Sequence, residues 1–178
     1  MTDRPARISI VTVSDRAARG EYEDKGGPGA EAWLRDVVIS PMEITRVIIP
    51  DGRENVSMKL RELVEGGADL ILVTGGTGPA PRDQTPEAVM DVAEKELPGF
   101  GEEMRRASLL EVPTAILSRQ TGVIRDATLI ITLPGKPGAI ATCLNAVFAA
   151  VPYCLDLIGA ARVETDAGKV KAFRPKIN

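Results

Sequence analysis

Asp51 follows Pro50 at the end of the apolar run ITRVIIP, and Asp83 lies in APRDQT, just past the cluster Thr74-Gly75-Gly76-Thr77-Gly78 that closes the run DLILVTGG. Two carboxylates beside a glycine-rich loop suit Mg²⁺ bridging substrate phosphates, because magnesium takes one or two carboxylates and leaves its other positions to water and phosphate oxygen. Glycines lack Cβ, so their N–H groups can close around an anion. The hydroxyls of Thr74 and Thr77 are expected to add donors. Each residue also has a plainer use: glycine pairs make tight turns at positive φ, and aspartates serve turns and helix caps.

Two further loops join this set, Ser14-Asp15 after RISIVTV and Pro134-Gly135-Lys136-Pro137 after ATLIITL. Arg82, Ser118-Arg119 and Lys136 are expected to supply donors in the same region, with Arg82 able to pair with Asp83 or meet phosphate. Asp15 and Asp24 are weaker acidic candidates. A dinucleotide fingerprint does not fit TGGTG, since no third glycine follows at the required spacing. Gly135-Lys136 precedes Pro137 and has no leading glycine, so a Walker loop is disfavoured. The chain has no histidine, which removes His-based triads and His-ligated zinc.

These loops need elements to hold them. RISIVTV reads as a buried strand, and the runs ITRVIIP, DLILVT and ATLIITL as further strands. Ala30, Trp33, Leu34, Val37 and Val38 repeat at helical spacing, as do Val56, Leu60, Leu63 and Val64. Trp33 is expected to pack in the core. TPEAVMDVAEKE is expected to form a helix with Thr85 as N-cap and Pro86 first in the helix, and LPGFGEEMRRASLL a shorter one. Residues 140–151 place Ile140, Cys143, Leu144, Val147, Phe148 and Val151 on one face. Strands alternating with helices imply right-handed crossovers and a mostly parallel sheet covered on both faces. Ligands of such sheets bind outside the carboxyl ends of the strands, where all four loops should open.

Composition fits this picture. The chain has 178 residues, an expected single domain over 1–178, and with 44% hydrophobic but 3% aromatic residues its interior must be aliphatic. Lys and Arg total 22 against 25 Asp and Glu, so no global positive field holds a nucleic acid. No secretory signal or membrane-length apolar segment is read. Cys143 and Cys154 lack metal-ligand spacing, and a cytoplasmic protein is expected. The tail from Arg162 is placed on the surface.

Taken in order, TVSDR, EDKGGP, IIPD, TGGTGPAPRDQTPEA, PGFGEEMR, VPTAILSRQTGVIR, LPGKP, VPYC and AFRPK span almost the whole chain. In these segments the sequence resembles the Mog-type molybdopterin adenylyltransferases, relatives of the MoaB proteins and of the G domains of eukaryotic molybdenum cofactor enzymes. The resemblance implies a three-layer αβα, molybdopterin-binding-like fold, a homotrimer, and the transfer of AMP from MgATP to the terminal phosphate of molybdopterin. It implies that Asp51 and Asp83, read above as a carboxylate pair suited to Mg²⁺, are the functional carboxylates. Thr74 to Gly78 would then hold the phosphate region of the pterin ligand, with Ser14, Asp15, Ser118, Arg119 and the Pro134–Pro137 loop as pocket positions. Hand-over of product to a molybdenum-inserting enzyme is a possible further step. Gly26 departs from the serine that many relatives carry, and NAVFAAVPYC lacks an insertion found in some bacterial ones. A non-catalytic carrier of the same fold, a molybdate-inserting protein and a phosphosugar enzyme are the competing readings.

Overall fold

The computed structural model describes residues 4–176. Its strands are β1 (Ala6–Val13), β2 (Met42–Ile49), β3 (Leu70–Thr74), β4 (Lys95–Leu97), β5 (Gly122–Arg125) and β6 (Thr128–Leu133). Its helices are α1 (Asp15–Ala18), α2 (Gly26–Val37), α3 (Arg53–Glu65), α4 (Thr85–Val92), α5 (Pro98–Leu109), α6 (Pro137–Val147) and α7 (Val151–Leu157), with 3-10 turns at Pro113–Leu117 and Phe148–Ala150. The six strands form one sheet in the order β2-β1-β3-β6-β5-β4. The first four in that order are mutually parallel, β5 runs antiparallel to β6, and β4 antiparallel to β5. The sheet is mixed and, as expected, mostly parallel, with β5 the strand that runs against the other five.

Side chains alternate across the sheet with the two-residue period of extended chain. Ile8, Ile10, Leu70, Leu72, Leu129 and Ile131 face one apolar layer with α2, α5, α6 and α7, while Val11, Val13, Ile71, Val73 and Ile130 face another with α3 and α4. Buried on both sides, these strands must be continuous apolar runs, which is how they read in the sequence. Trp33 packs against the first layer, edge-on to Phe148 with ring centroids 4.9 Å apart, and its indole N–H donates to Asn145 at 2.9 Å.

Several local expectations are corrected. The helix from Thr85 stops at Val92, and Lys95–Leu97 becomes the edge strand β4. Helix-favouring composition yields there to pairing with β5, and charged Lys95 and Glu96 suit an exposed edge. Strand β5, only four residues long, offered too short a pattern to read. Gln84 rather than Thr85 is the N-cap of α4, so Thr85 is its first residue. In the tail, Val163, Thr165 and Val170 are buried and Thr165 bridges Val38, so the segment packs on the body of the domain.

Pro137–Leu157 is, by length and composition, long and apolar enough to cross a membrane, with mean hydropathy 1.7. The reading that no apolar segment reaches that length is thus corrected. Ile140, Cys143, Leu144, Val147, Phe148, Val151 and Leu155 from this segment are buried in the first apolar layer, so its apolar surface is core packing against the sheet.

At the amino edge of the sheet, Asp69 fastens three segments. Its carboxylate receives both guanidinium nitrogens of Arg4 at 2.7 Å, the N–H of Arg7 at 2.8 Å and the N–H of Ala161 at 2.9 Å. Burial pushes this carboxyl up, but the Arg4 guanidinium and the two amides outweigh it and hold it below the usual range.

Candidate active site

The loops after β1, β2, β3 and β6 converge at the carboxyl edge of the sheet, which is where the strand polarity requires them to be. Asp51 and Asp15 lock the first two together: each backbone N–H donates to the other's carboxylate, at 2.9 and 3.0 Å. Ser14 caps α1 by accepting from Ala17 N–H at 3.2 Å, and its own N–H donates to Ile49. The loop after β3 is tied to that after β6, since the Thr74 hydroxyl donates to Pro134 carbonyl at 2.8 Å and Gly75 N–H to Leu133 carbonyl at 3.2 Å.

Glycine is required at two positions of TGGTG. Gly75 has φ of +97° and Gly76 of +64°, both disfavoured for residues with a β-carbon. A β-carbon on Gly75 would stand 2.4 Å from the carbonyl oxygen of Val13. Gly75→Ala is therefore expected to destabilise the protein by about 2 kcal/mol or more, through strain and clash together. Urea unfolding measures this, with Gly138→Ala, which opens onto free space, as the control expected to change little.

Two adjoining cavities share Val13 and Ser14 at the end of β1. One, of about 140 Å³, is lined by Thr12, Tyr22, Asp24, Gly26, Thr74, Gly75 and Gly135 among others. The other, of about 130 Å³, is lined by Asp15, Arg16, Asp51, Gly76, Arg82 and Asp83 in addition to the shared residues. Three carboxylates and two guanidinium groups line the second lobe. Among the described residues the amides of Gly76, Thr77 and Gly78 have no protein acceptor, and Gly76 lines this lobe beside the carboxylates, an arrangement suited to an anion. Asp51 Oδ1 is likewise unpaired among the described residues, Oδ2 being held by Asp15 N–H. No group of three or more His, Cys, Asp or Glu among the described residues is arranged to hold a metal by itself. Magnesium needs only one or two carboxylates when phosphates complete its shell, and the donor set in this lobe fits that mode.

Other expected site residues fall differently. The hydroxyl of Thr74 is already used on Pro134, whereas that of Thr77 has no protein acceptor among the described residues, so the Thr77 hydroxyl and the backbone amides are the loop's available donors. Ser118 donates to Gln120 at 2.7 Å, and Gln120 in turn reaches Cys143, which places Ser118 in an interior network under α5 and α6 and outside both lobes. Lys136 is exposed at the start of α6, with Gly135 in the wall of the first lobe. Asp24 holds Thr12 and Gly27 and so fixes the start of α2. Gly26 stands in that same wall, where a β-carbon would lie 3.4 Å from both Gly135 carbonyl and Thr74 Oγ1. Arg16 and Tyr22, not singled out in the sequence, border the lobes and stack on each other, with the guanidinium 5.2 Å from the ring centre. The position of Arg16 next to Asp15 at a strand end was the signal that could have found it.

Arg119 is a clamp. Its N–H donates to Thr77 carbonyl at 2.8 Å and its guanidinium to Gly78 carbonyl at 2.9 Å, to Asp83 carbonyl and to the Glu87 carboxylate. Hydrogen bonding to Arg119 holds the Glu87 carboxyl below the usual carboxylate range. The loop 78–83 is thus bracketed by one side chain, and Asp83 is presented to the acidic lobe from a braced turn. Arg119→Ala is expected to speed amide exchange across residues 78–84 while leaving α2 and α6 protected, as read by hydrogen-exchange mass spectrometry.

A three-layer αβα domain with its cleft at the carboxyl edge of parallel strands belongs to the α/β ligand-binding class. The family model described as probable molybdopterin binding domain matches residues 9–153. The molybdopterin adenylyltransferase of Haemophilus influenzae is 48% identical over 183 residues, covering 96% of this chain and 93% of that protein. That of Escherichia coli K12 is 49% identical, with 96% and 94% covered. The solved structure of the molybdopterin biosynthesis Mog protein from Mycobacterium ulcerans superimposes with a TM-score of 0.80 at 37% identity, covering 86% of this chain and 99% of that one. The chain belongs to this molybdopterin-binding family of molybdenum cofactor biosynthesis.

Proposed function

We propose that the protein transfers AMP from MgATP to the terminal phosphate of molybdopterin, giving adenylyl-molybdopterin and pyrophosphate. The observation that carries this reading is the contact between an acidic lobe and a glycine loop with free amides, at the junction of four strand ends. Near-full-length identity of about half to proteins named molybdopterin adenylyltransferase supports the same reaction over the carrier reading.

The chemistry suits a chain without histidine. The attacking group is a phosphate monoester whose second pKa lies near ~6, so at neutral pH it is largely a dianion and needs no general base. A bond forms between its oxygen and the α-phosphorus of ATP, the bond from that phosphorus to the α–β bridging oxygen breaks, and pyrophosphate leaves with the electron pair. The task left to the protein is to align two polyanions and offset their repulsion. Asp51 and Asp83 would hold Mg²⁺, which when bound neutralises charge on the ATP phosphates. The TGGTG amides would hold the phosphate end of molybdopterin, Arg16 and Arg82 would screen the remaining charge, and Arg119 would keep the loop in place. In this reading residues 1–178 work as one cytoplasmic domain, assembled as a trimer, that passes its product to a molybdenum-inserting enzyme.

Pyrophosphate release from MgATP by the purified protein tests the reaction. Release is expected only when molybdopterin is present. Molybdopterin binding without any release would instead establish the carrier reading, and molybdenum insertion without ATP the insertion reading.

A further inference from the structure

The hydroxyl of Thr85 is the buried side-chain polar atom that has no hydrogen-bond partner among the described residues. The residue is 1% exposed. Threonine at a helix start ordinarily serves as the cap, but here Gln84 is the N-cap and the Thr85 hydroxyl caps nothing. The backbone N–H of Thr85 is already used, on Gly76 carbonyl at 3.1 Å. An unpaired buried hydroxyl is unfavourable, and valine would fill the same volume without that penalty.

The position of the hydroxyl suggests its use. A β-carbon on Gly76 would stand 2.4 Å from Thr85 Oγ1 and 3.5 Å from Asp51 Oδ1. The two oxygens therefore lie within about 6 Å of each other across a residue with no side chain, unbonded in the free protein, and Oδ1 is the carboxylate oxygen that Asp15 does not hold. We propose that Thr85 is a positioning residue: when MgATP occupies the acidic lobe, its hydroxyl donates to Asp51 Oδ1 and fixes the carboxylate from the side opposite Asp15. This inference rests on the adenylyl-transfer reading. Carboxylates that meet a metal are generally oriented by a second hydrogen-bonding partner, whose loss lowers metal affinity or activity about 10- to 100-fold. In the free protein the hydroxyl waits unpaired, a local instability held for use at the site.

The test compares Thr85→Val, which keeps shape and removes the hydroxyl, with Thr85→Ser, which keeps the hydroxyl. Thr85→Val is expected to melt at a higher temperature than the wild type without ligand. It should nonetheless bind MgATP more weakly by calorimetry and turn over about tenfold more slowly or worse, with molybdopterin affinity unchanged. Thr85→Ser is expected to restore MgATP affinity and turnover to within about threefold of wild type. In an Asp51→Asn background, Thr85→Val should add little further loss. The proposal is overturned if the valine variant binds MgATP and turns over like the wild type, if valine and serine are equally impaired, or if valine lowers the melting temperature. If the wild type releases no pyrophosphate, the transferase reading falls, while the MgATP affinities and melting temperatures still decide the role of Thr85.

Discussion

Asp51→Asn and Asp83→Asn are each expected to slow AMP transfer by about 100-fold or more while changing molybdopterin affinity by no more than about threefold. The asparagine variants isolate charge from architecture. Asp51 accepts the N–H of Asp15 at 2.9 Å and Asp83 that of Ala80 at 3.2 Å, and an amide oxygen can accept both. What disappears is the negative charge that would hold magnesium against two polyanionic substrates, and that charge matters most when phosphorus is attacked. The comparison requires transfer rates and calorimetric affinities on the same samples. Unchanged transfer in both variants would defeat the assignment of these carboxylates, and an equal loss of pterin affinity would move them to the other lobe.

Asp69→Ala, remote from the mouth, is expected to cost about 3 kcal/mol of stability, which for a chain of this size lowers Tm by roughly 6–12 °C. The substitution leaves the N–H groups of Arg7 and Ala161 without their acceptor and frees Arg4. Half-exposed Arg4 can return to water; the two amides cannot do so without opening the amino edge of the sheet. The pH dependence has a definite sign. Asp69 has a carboxyl pKa held below its ordinary value, so its contribution is complete above the unfolded-chain value near ~3.9 and is lost as pH falls through the lowered one. Thermal melts from pH 7 downward should show the wild type losing this increment on the acid side, and Asp69→Ala should lack that part of the acid limb. Parallel acid limbs in the two proteins would sink the claim.

Legibility in the sequence followed a physical divide. Strands buried on both faces had to be unbroken aliphatic runs, so β1, β3 and β6 stood out, while the half-exposed edge strand β2 was legible from its β-branched run closed by Pro50; their shared polarity then determined that the loops at Ser14, Asp51, Thr74 and Pro134 share one edge. The short strands β4 and β5 were not legible. Three or four residues carry no period, and the AEKE composition favours a helix that only pairing with Gly122–Ile124 overrides. The buried tail was missed for a similar reason, because the polar residues alternating with Val163, Thr165 and Val170 mask the apolar ones.

The same divide runs through the site. The sequence by itself determined which chemistry is available: carboxylates and glycines at strand ends, no histidine, and phosphate-sized loops in place of a dinucleotide or Walker fingerprint. Only the tertiary structure decided which groups remain free to use it. Arg119 and Ser118 looked like ligand donors, yet carbonyls of residues 78 and 83, Glu87 and Gln120 take up their hydrogen bonds. Thr85 looked like a cap and is instead unpaired beside Asp51. Residue type sets what a side chain can donate or accept, but whether it is still unspent depends on the distant segments folded against it.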